Sequence, residues 1–215
     1  MINIVLVRHG NTFGPEDKVV WAGARTDLPL VEAGRVQANR LGQQFADAGY
    51  VPDRILTGPL LRTRQHADIL ADHVGLQDDV EIHQALCEID YGRWEGLSTE
   101  EINALGGEAE LTAWNTGAQW PPSPNWSPAE QDIEKNIHDL VHSLFKSLDG
   151  HGRALIVTSN GIMRFFARLC ENPPPLAARK VRTGHHCQLV YNNGRLRLIS
   201  WNQIPNTPLS SFKPN

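Results

Sequence analysis

Ile2-Asn3-Ile4-Val5-Leu6-Val7-Arg8-His9-Gly10-Asn11-Thr12 is the stretch from which the fold can be read. Its apolar, mostly β-branched start predicts a buried strand. The strand then empties an arginine, a histidine and a glycine into a loop. The carboxyl end of a buried strand is where open α/β sheets place their ligands. Arginine offers a planar fork to phosphate or carboxylate, histidine can act as nucleophile or acid–base, and glycine lets backbone approach closely. Taken alone, Arg8-His9-Gly10 fits a surface turn as readily as a site, so the remaining chain must decide.

The 215 residues suit one α/β domain with a cap better than two domains. An apolar fraction of 40% with six tryptophans supplies a substantial core and excludes a disordered chain. A formal charge of −4 without a basic run argues against a nucleic-acid partner, although local arginines still permit a small anion pocket. Cys87, Cys170 and Cys187 are odd in number and form no CxxC, which fits reduced thiols in a cytoplasm. Neither a signal segment nor an apolar run of bilayer length is evident, so a soluble cytoplasmic protein with no membrane partner is expected.

Outward from the first strand, residues 10–30 form a Gly-, Pro- and Asp-rich loop, long enough to be expected as a wall of a site. A helix is predicted over Val31–Ala48, stopped by Gly49, and a strand over Asp53–Leu56. Thr57 is expected to cap, and Pro59 to open, a helix that runs to Val74. Val80–His83 reads as a third strand, and Ser98-Thr99-Glu100-Glu101 as a capping box. Residues 106–128 carry Trp114, Trp120, Trp126 and paired prolines, a composition expected of a lid rather than a linker. The helix after Ser127-Pro128 buries Ile133, Ile137, Leu140, Val141 and Leu144 on one face. Its His138 and His142 lack a third ligand at suitable spacing, so no metal site is expected. Arg153–Thr158 reads as a buried strand, Ile162–Leu169 as a helix, and Cys187–Tyr191 with Leu196–Trp201 as a hairpin about Asn192-Asn193-Gly194. The fold class expected is α/β: a three-layer sandwich with a mostly parallel central sheet, helices on both faces, an edge hairpin and a small Trp/Pro-rich lid at about 98–128. In a doubly wound sheet Arg8, His9 and Arg62 would meet at one rim, with Glu88 in a glycine-bounded loop available as an acid.

Four motifs in order carry a resemblance. Arg8-His9-Gly10-Asn11-Thr12 is similar to the Arg-His-Gly signature of the histidine phosphatase (phosphoglycerate mutase-like) superfamily. Asp27-Leu28-Pro29-Leu30 and Gly34-Arg35-Val36-Gln37-Ala38 resemble its next run, Leu60-Leu61-Arg62-Thr63-Arg64-Gln65-His66-Ala67 its arginine-bearing helix start, and Glu88-Ile89-Asp90-Tyr91-Gly92-Arg93-Trp94-Glu95-Gly96 its acid loop. The resemblance implies a phosphomonoester hydrolase in which His9 is the nucleophile and forms a phosphohistidine. It also implies that Arg8 and Arg62 hold the phosphoryl oxygens and that Glu88 is the general acid and base, with no metal and no cofactor. Asn11, Thr12, Ser159, Asn160 and His185 are the further phosphate-binding candidates, and the partner expected is a small phosphorylated substrate. The form of the acid loop and the short chain resemble the phosphatase-type branch more than the mutases.

One position departs. Val157-Thr158-Ser159-Asn160-Gly161 stands where the family usually reads Val-Ser-His-Gly-Gly, so Ser159 replaces the second histidine. A lost charge-assisted hydrogen bond is worth about 1.5–3 kcal/mol, or roughly ten- to a hundredfold in rate. Two consequences stay open at this point: His185 or His186 supplies a substitute imidazole, or the protein binds a phosphate ester with little or no turnover. A homodimer also stays open.

Overall fold

Alternation along the first strand sorts the molecule into layers. In the computed structural model, which describes residues 1–205, β1 (Ile2–Arg8) turns Ile4 and Leu6 to one face and Val5 and Val7 to the other, each fully buried. Burial of each such side chain contributes about 1.5–3 kcal/mol. The other strands are β2 (Arg54–Thr57), β3 (Val80–Ile82), β4 (Gly152–Thr158), β5 (His186–Asn192) and β6 (Arg195–Gln203), in the spatial order β3-β2-β4-β1-β5-β6. The first four are parallel, while β5 and β6 run antiparallel as an edge hairpin. Asn193 and Gly194 both adopt positive φ in its turn, at 49° and 78°, the conformation that suits a two-residue hairpin loop.

Helices α1 (Glu32–Asp47) and α2 (Leu61–Val74) cover the Val5/Val7 face through Leu41, Phe45, Ala67, Leu70 and Ala71. On the opposite face lie α3 (Thr99–Ala104), α4 (Glu108–Gly117), α5 (Glu130–Ser147) and α6 (Asn160–Leu169). Ile133, Ile137, Leu140 and Leu144 of α5 and Phe166 of α6 join Ile4, Leu6 and Ile156 there in a second core. The fold is therefore the α/β sandwich expected, with a six-stranded, mostly parallel sheet.

One local reading needs correction. Thr57 does not cap α2: it ends β2, and its hydroxyl donates weakly to the Gly58 carbonyl at 3.3 Å. The cap comes from a distant loop, where Asp27 Oδ1 accepts the Leu61 N–H at 2.6 Å. Within the Trp/Pro-rich segment, Glu108–Gly117 is helical, an element no sequence pattern marked. Trp120 and Trp126 also face inward: Trp126 is 6% exposed and has the rings of Tyr91, Trp114 and Trp120 within 4.9, 4.9 and 5.1 Å. Burial of so much aromatic surface ties the segment to the core. The Ser98–Glu101 capping box is present as expected. No helix among the described residues is long and apolar enough to cross a membrane.

Candidate active site

The parallel strands end along one rim, where Arg8, His9, Arg62, Glu88 and Asn160 line a single cleft of about 470 Å³. Two glycines let the histidine loop sit there. A Cβ on Gly10 would lie 2.4 Å from the Gly34 carbonyl, and one on Gly34 would lie 2.2 Å from that of Asn11. The loop and the start of α1 thus meet backbone to backbone, a distance that only glycine permits.

His9 is 6% exposed, and its Nδ1 lies 2.8 Å from the Gly10 carbonyl. A carbonyl only accepts, so Nδ1 must carry the proton. Burial, reinforced by the Arg62 and Arg8 charges, holds the His9 pKa well below the usual imidazole value. The ring is therefore neutral near pH 7, and its Nε2 keeps a lone pair. His66, from α2, is fully buried and takes the opposite tautomer: its Nδ1 accepts the Gly10 N–H at 3.0 Å. Burial lowers its pKa to about 3, so it remains an acceptor.

The two predicted arginines are anchored but not exhausted. Arg62 donates to the carbonyls of Thr26, Ala22 and Gly23 at 2.6, 3.2 and 3.1 Å, and Arg8 donates to Val181 O. Each guanidinium has five N–H groups, so each keeps donors for an anion. Glu88, 5% exposed, accepts the Ile89 N–H at Oε1 (3.0 Å) and the Gly161 N–H at Oε2 (3.1 Å). A Cβ on Gly161 would collide with Oε1 at 2.2 Å, so the glycine that opens α6 is what admits this carboxylate.

Asn11, Thr12 and Asn160 also line the cleft. Asn11 Oδ1 accepts the Thr183 hydroxyl, and Asn160 Oδ1 accepts the Val181 N–H at 2.9 Å. Ser159 is fully buried, is not among the residues that line the cleft beside Asn160, and its Oγ has no hydrogen-bond partner among the described residues. His185 and His186 do not substitute for an imidazole there. His185 directs Nδ1 to the Asn202 carbonyl at 3.1 Å, and His186 is buried beside Phe45, 6.5 Å between ring centroids; neither lines the cleft. The register explains this: His186 pairs with Val7 on the α1/α2 side of the sheet. His138 and His142 stack on α5 away from the cleft.

The long loop supplies Phe13, Val19, Val20 and Trp21 to the wall, and the 98–128 segment supplies Thr99, Trp114 and Asn115. Sequence reasoning missed Arg164, Lys180 and His66. Arg164 follows Asn160 by one helical turn, a spacing that places both on one face of α6. His66 stands where the family run has threonine, and that departure was the available signal. Lys180 lies in an irregular segment with no pattern to mark it.

A strand-end histidine beside two arginines, a carboxylate and a helix amino terminus is an arrangement for phosphoryl transfer, and comparison with known proteins agrees. The model of the histidine phosphatase superfamily (branch 1) matches residues 4–204, and the chain belongs to that family. A 2,3-bisphosphoglycerate-dependent phosphoglycerate mutase of Rhizobium etli is 31% identical over 159 residues, 74% of each chain. One from Nitrobacter winogradskyi is 26% identical over 84% of this chain and 87% of its own. Among solved structures, a mycobacterial glucosyl-3-phosphoglycerate phosphatase in complex with VO3 superposes with a TM-score of 0.74 at 25% identity, over 93% of this chain and 98% of that one. A mycobacterial hydrolase does so with a TM-score of 0.78 at 26% identity, over 94% and 98%. The protein is thus an enzyme of the phosphatase or mutase type whose chemistry is phosphoryl transfer.

Proposed function

We propose that the protein is a phosphomonoester hydrolase working through a phosphohistidine on His9. The observation that carries the reading is the His9–Gly10 hydrogen bond, which commits Nδ1 as donor and leaves Nε2 as the nucleophile. Nε2 attacks phosphorus as the P–O bond to the leaving group breaks, and Glu88 gives that oxygen a proton. The Glu88 carboxylate then takes a proton from a water whose oxygen attacks phosphorus as the N–P bond breaks, releasing phosphate and restoring His9. Arg8 and Arg62 hold the phosphoryl oxygens, where charge builds in transfer. Asn11, Thr12 and Asn160 complete the cradle, with residues 98–128 as a cap beside it within a single domain. Hydrolysis is favoured over mutase chemistry by the acid loop Glu88-Ile89-Asp90-Tyr91-Gly92.

Hydrolysis of p-nitrophenyl phosphate is the direct test. Wild type is expected to turn it over, undiminished by EDTA, and His9→Ala is expected to abolish turnover. Full activity in His9→Ala would remove His9 as the nucleophile. A second reading, binding with little or no turnover, is supported by the unpartnered Ser159 hydroxyl in place of a histidine. It predicts phosphate or vanadate binding without hydrolysis of any phosphomonoester.

A further inference from the structure

Arg62 is aimed by a loop that has no regular structure of its own. The carbonyls of Ala22, Gly23 and Thr26, which take its N–H groups, lie between β1 and α1, where no helix or strand fixes the backbone. The loop is held instead by the acid loop that carries Glu88. Trp21 donates its N–H to the Leu97 carbonyl at 2.9 Å and accepts that of Gly96 at 2.9 Å, and Ala24 donates to the Ile89 carbonyl at 3.0 Å. A guanidinium anchored on such a loop is only as well placed as the contacts that hold the loop.

Glu95 makes the side-chain join between the two loops. Its Oε1 accepts the Thr26 hydroxyl at 2.8 Å, and its Oε2 accepts the Tyr91 N–H at 3.3 Å and lies 3.5 Å from Arg25 Nε. The side chain is 4% exposed and does not line the cleft. A Cβ on Gly23 would stand 2.6 Å from Glu95 Oε2 and 2.5 Å from the Ile89 carbonyl, so loop and carboxylate meet with no side chain between them. The carboxylate thus touches two of the three residues that hold Arg62, and reaches from them to Tyr91, three positions beyond Glu88. Burial of a carboxylate is unfavourable unless its oxygens are hydrogen-bonded. Here those bonds go to the two segments that present the arginine and the acid.

We propose that Glu95 is a positioning residue, which clamps residues 22–26 to the acid loop and so aims Arg62 at the phosphoryl group beside Glu88. The proposal rests on the phosphatase reading for what Arg62 binds. Orthovanadate binding, followed by titration calorimetry, tests it without turnover. Glu95→Ala should weaken binding at least tenfold on its own and less than twofold when Arg62→Met is already present, because the clamp acts through Arg62. Glu95→Gln should stay within threefold of wild type: its Oε1 takes the Tyr91 N–H, and its amide N–H goes to the Thr26 hydroxyl, which accepts as well as donates. Thr26→Val removes one clamp contact and leaves the carbonyl on Arg62; it should weaken binding threefold or more, and it decides the matter if Glu95→Ala does not fold. A carboxylate that merely stabilised the fold would give the same loss with and without Arg62. That result, unchanged binding in Glu95→Ala or in Thr26→Val, or a loss in Glu95→Gln as large as in Glu95→Ala, overturns the clamp. Failure of the phosphatase reading is seen separately, as absence of p-nitrophenyl phosphate hydrolysis by wild type, and leaves the vanadate cycle to decide on Glu95. Absence of vanadate binding by wild type removes the anion role of Arg62 and the clamp with it.

Discussion

Gly10 accepts the His9 Nδ1–H at its carbonyl and donates its own N–H to His66 Nδ1, so one residue fixes two imidazoles in opposite tautomers. Removing the second acceptor strands a buried N–H, at a cost of about 1–3 kcal/mol. His66→Leu is therefore expected to lower kcat at least tenfold with little change in KM, because the loop that orients His9 loosens while the arginines remain. His66→Asn, whose Oδ1 stands where Nδ1 accepts, is expected to recover most of the loss. Equal kcat in the Leu and Asn variants would exclude a positioning role. At Ser159, whose enclosed hydroxyl has no hydrogen-bond partner among the described residues, Ser159→His is expected to raise kcat tenfold or more by returning the charge-assisted donor that the family's histidine supplies at the matching position. No gain would mean that the present donors already suffice.

Helix α2 shows how an element can depend on a residue far from it in sequence. Its N-cap, Leu60, has no side chain to offer, and Asp27 Oδ1 takes the Leu61 N–H instead. A carboxylate at a helix amino terminus satisfies an orphan donor and meets the positive end of the dipole. Asp27→Ala is expected to cost about 1 kcal/mol, seen as a fall of about 2–4 °C in Tm. Since α2 carries Arg62 and His66, the same variant should also weaken turnover. An unchanged Tm would show the cap to be dispensable. Helix α6 works differently: Gly161 gives its N–H to Glu88 and, having no Cβ, leaves room for the carboxylate.

Across the whole molecule, three histidines are buried neutral: His9, His66 and His186. In the unfolded chain each takes up a proton near pH 6.5. In the fold, His66 does so only at about 3 and His186 at about 4, both because burial penalises the charge. The unfolded state therefore binds more protons between pH 6.5 and those values. The stability is fully present above 6.5 and is lost as pH falls through that window. For His186 alone the loss between pH 7.5 and 5.0 is about 2 kcal/mol. Both of its ring nitrogens lack partners among the described residues, so His186→Phe is expected to fold and to shrink the difference between urea melts at the two pH values by about that amount. An undiminished difference would contradict the stated burial cost.

Period and punctuation made most elements legible. The six strands and the long helices α1, α2, α5 and α6 follow from alternation, from the 3.6-residue stripe and from glycine or proline stops, all of which act within a few residues. Helix α4 escaped because tryptophan and proline dominate the composition around it, and their burial against Tyr91 and Trp126 is a long-range effect.

The sequence by itself determined the α/β layering and the strand-end Arg8-His9-Gly10 loop, because hydrophobic patterning is a local property; the gathering of Arg62 and Glu88 toward that loop was an expectation from the family resemblance, and the folded sheet brings them to one cleft. Only the tertiary structure decided which histidine lies where. It set His9 and His66 about Gly10, sent His185 to Asn202 and buried His186 under α1. It also turned Arg164 and Lys180 into the cleft. Register and helix packing, which couple residues far apart in the chain, make those choices.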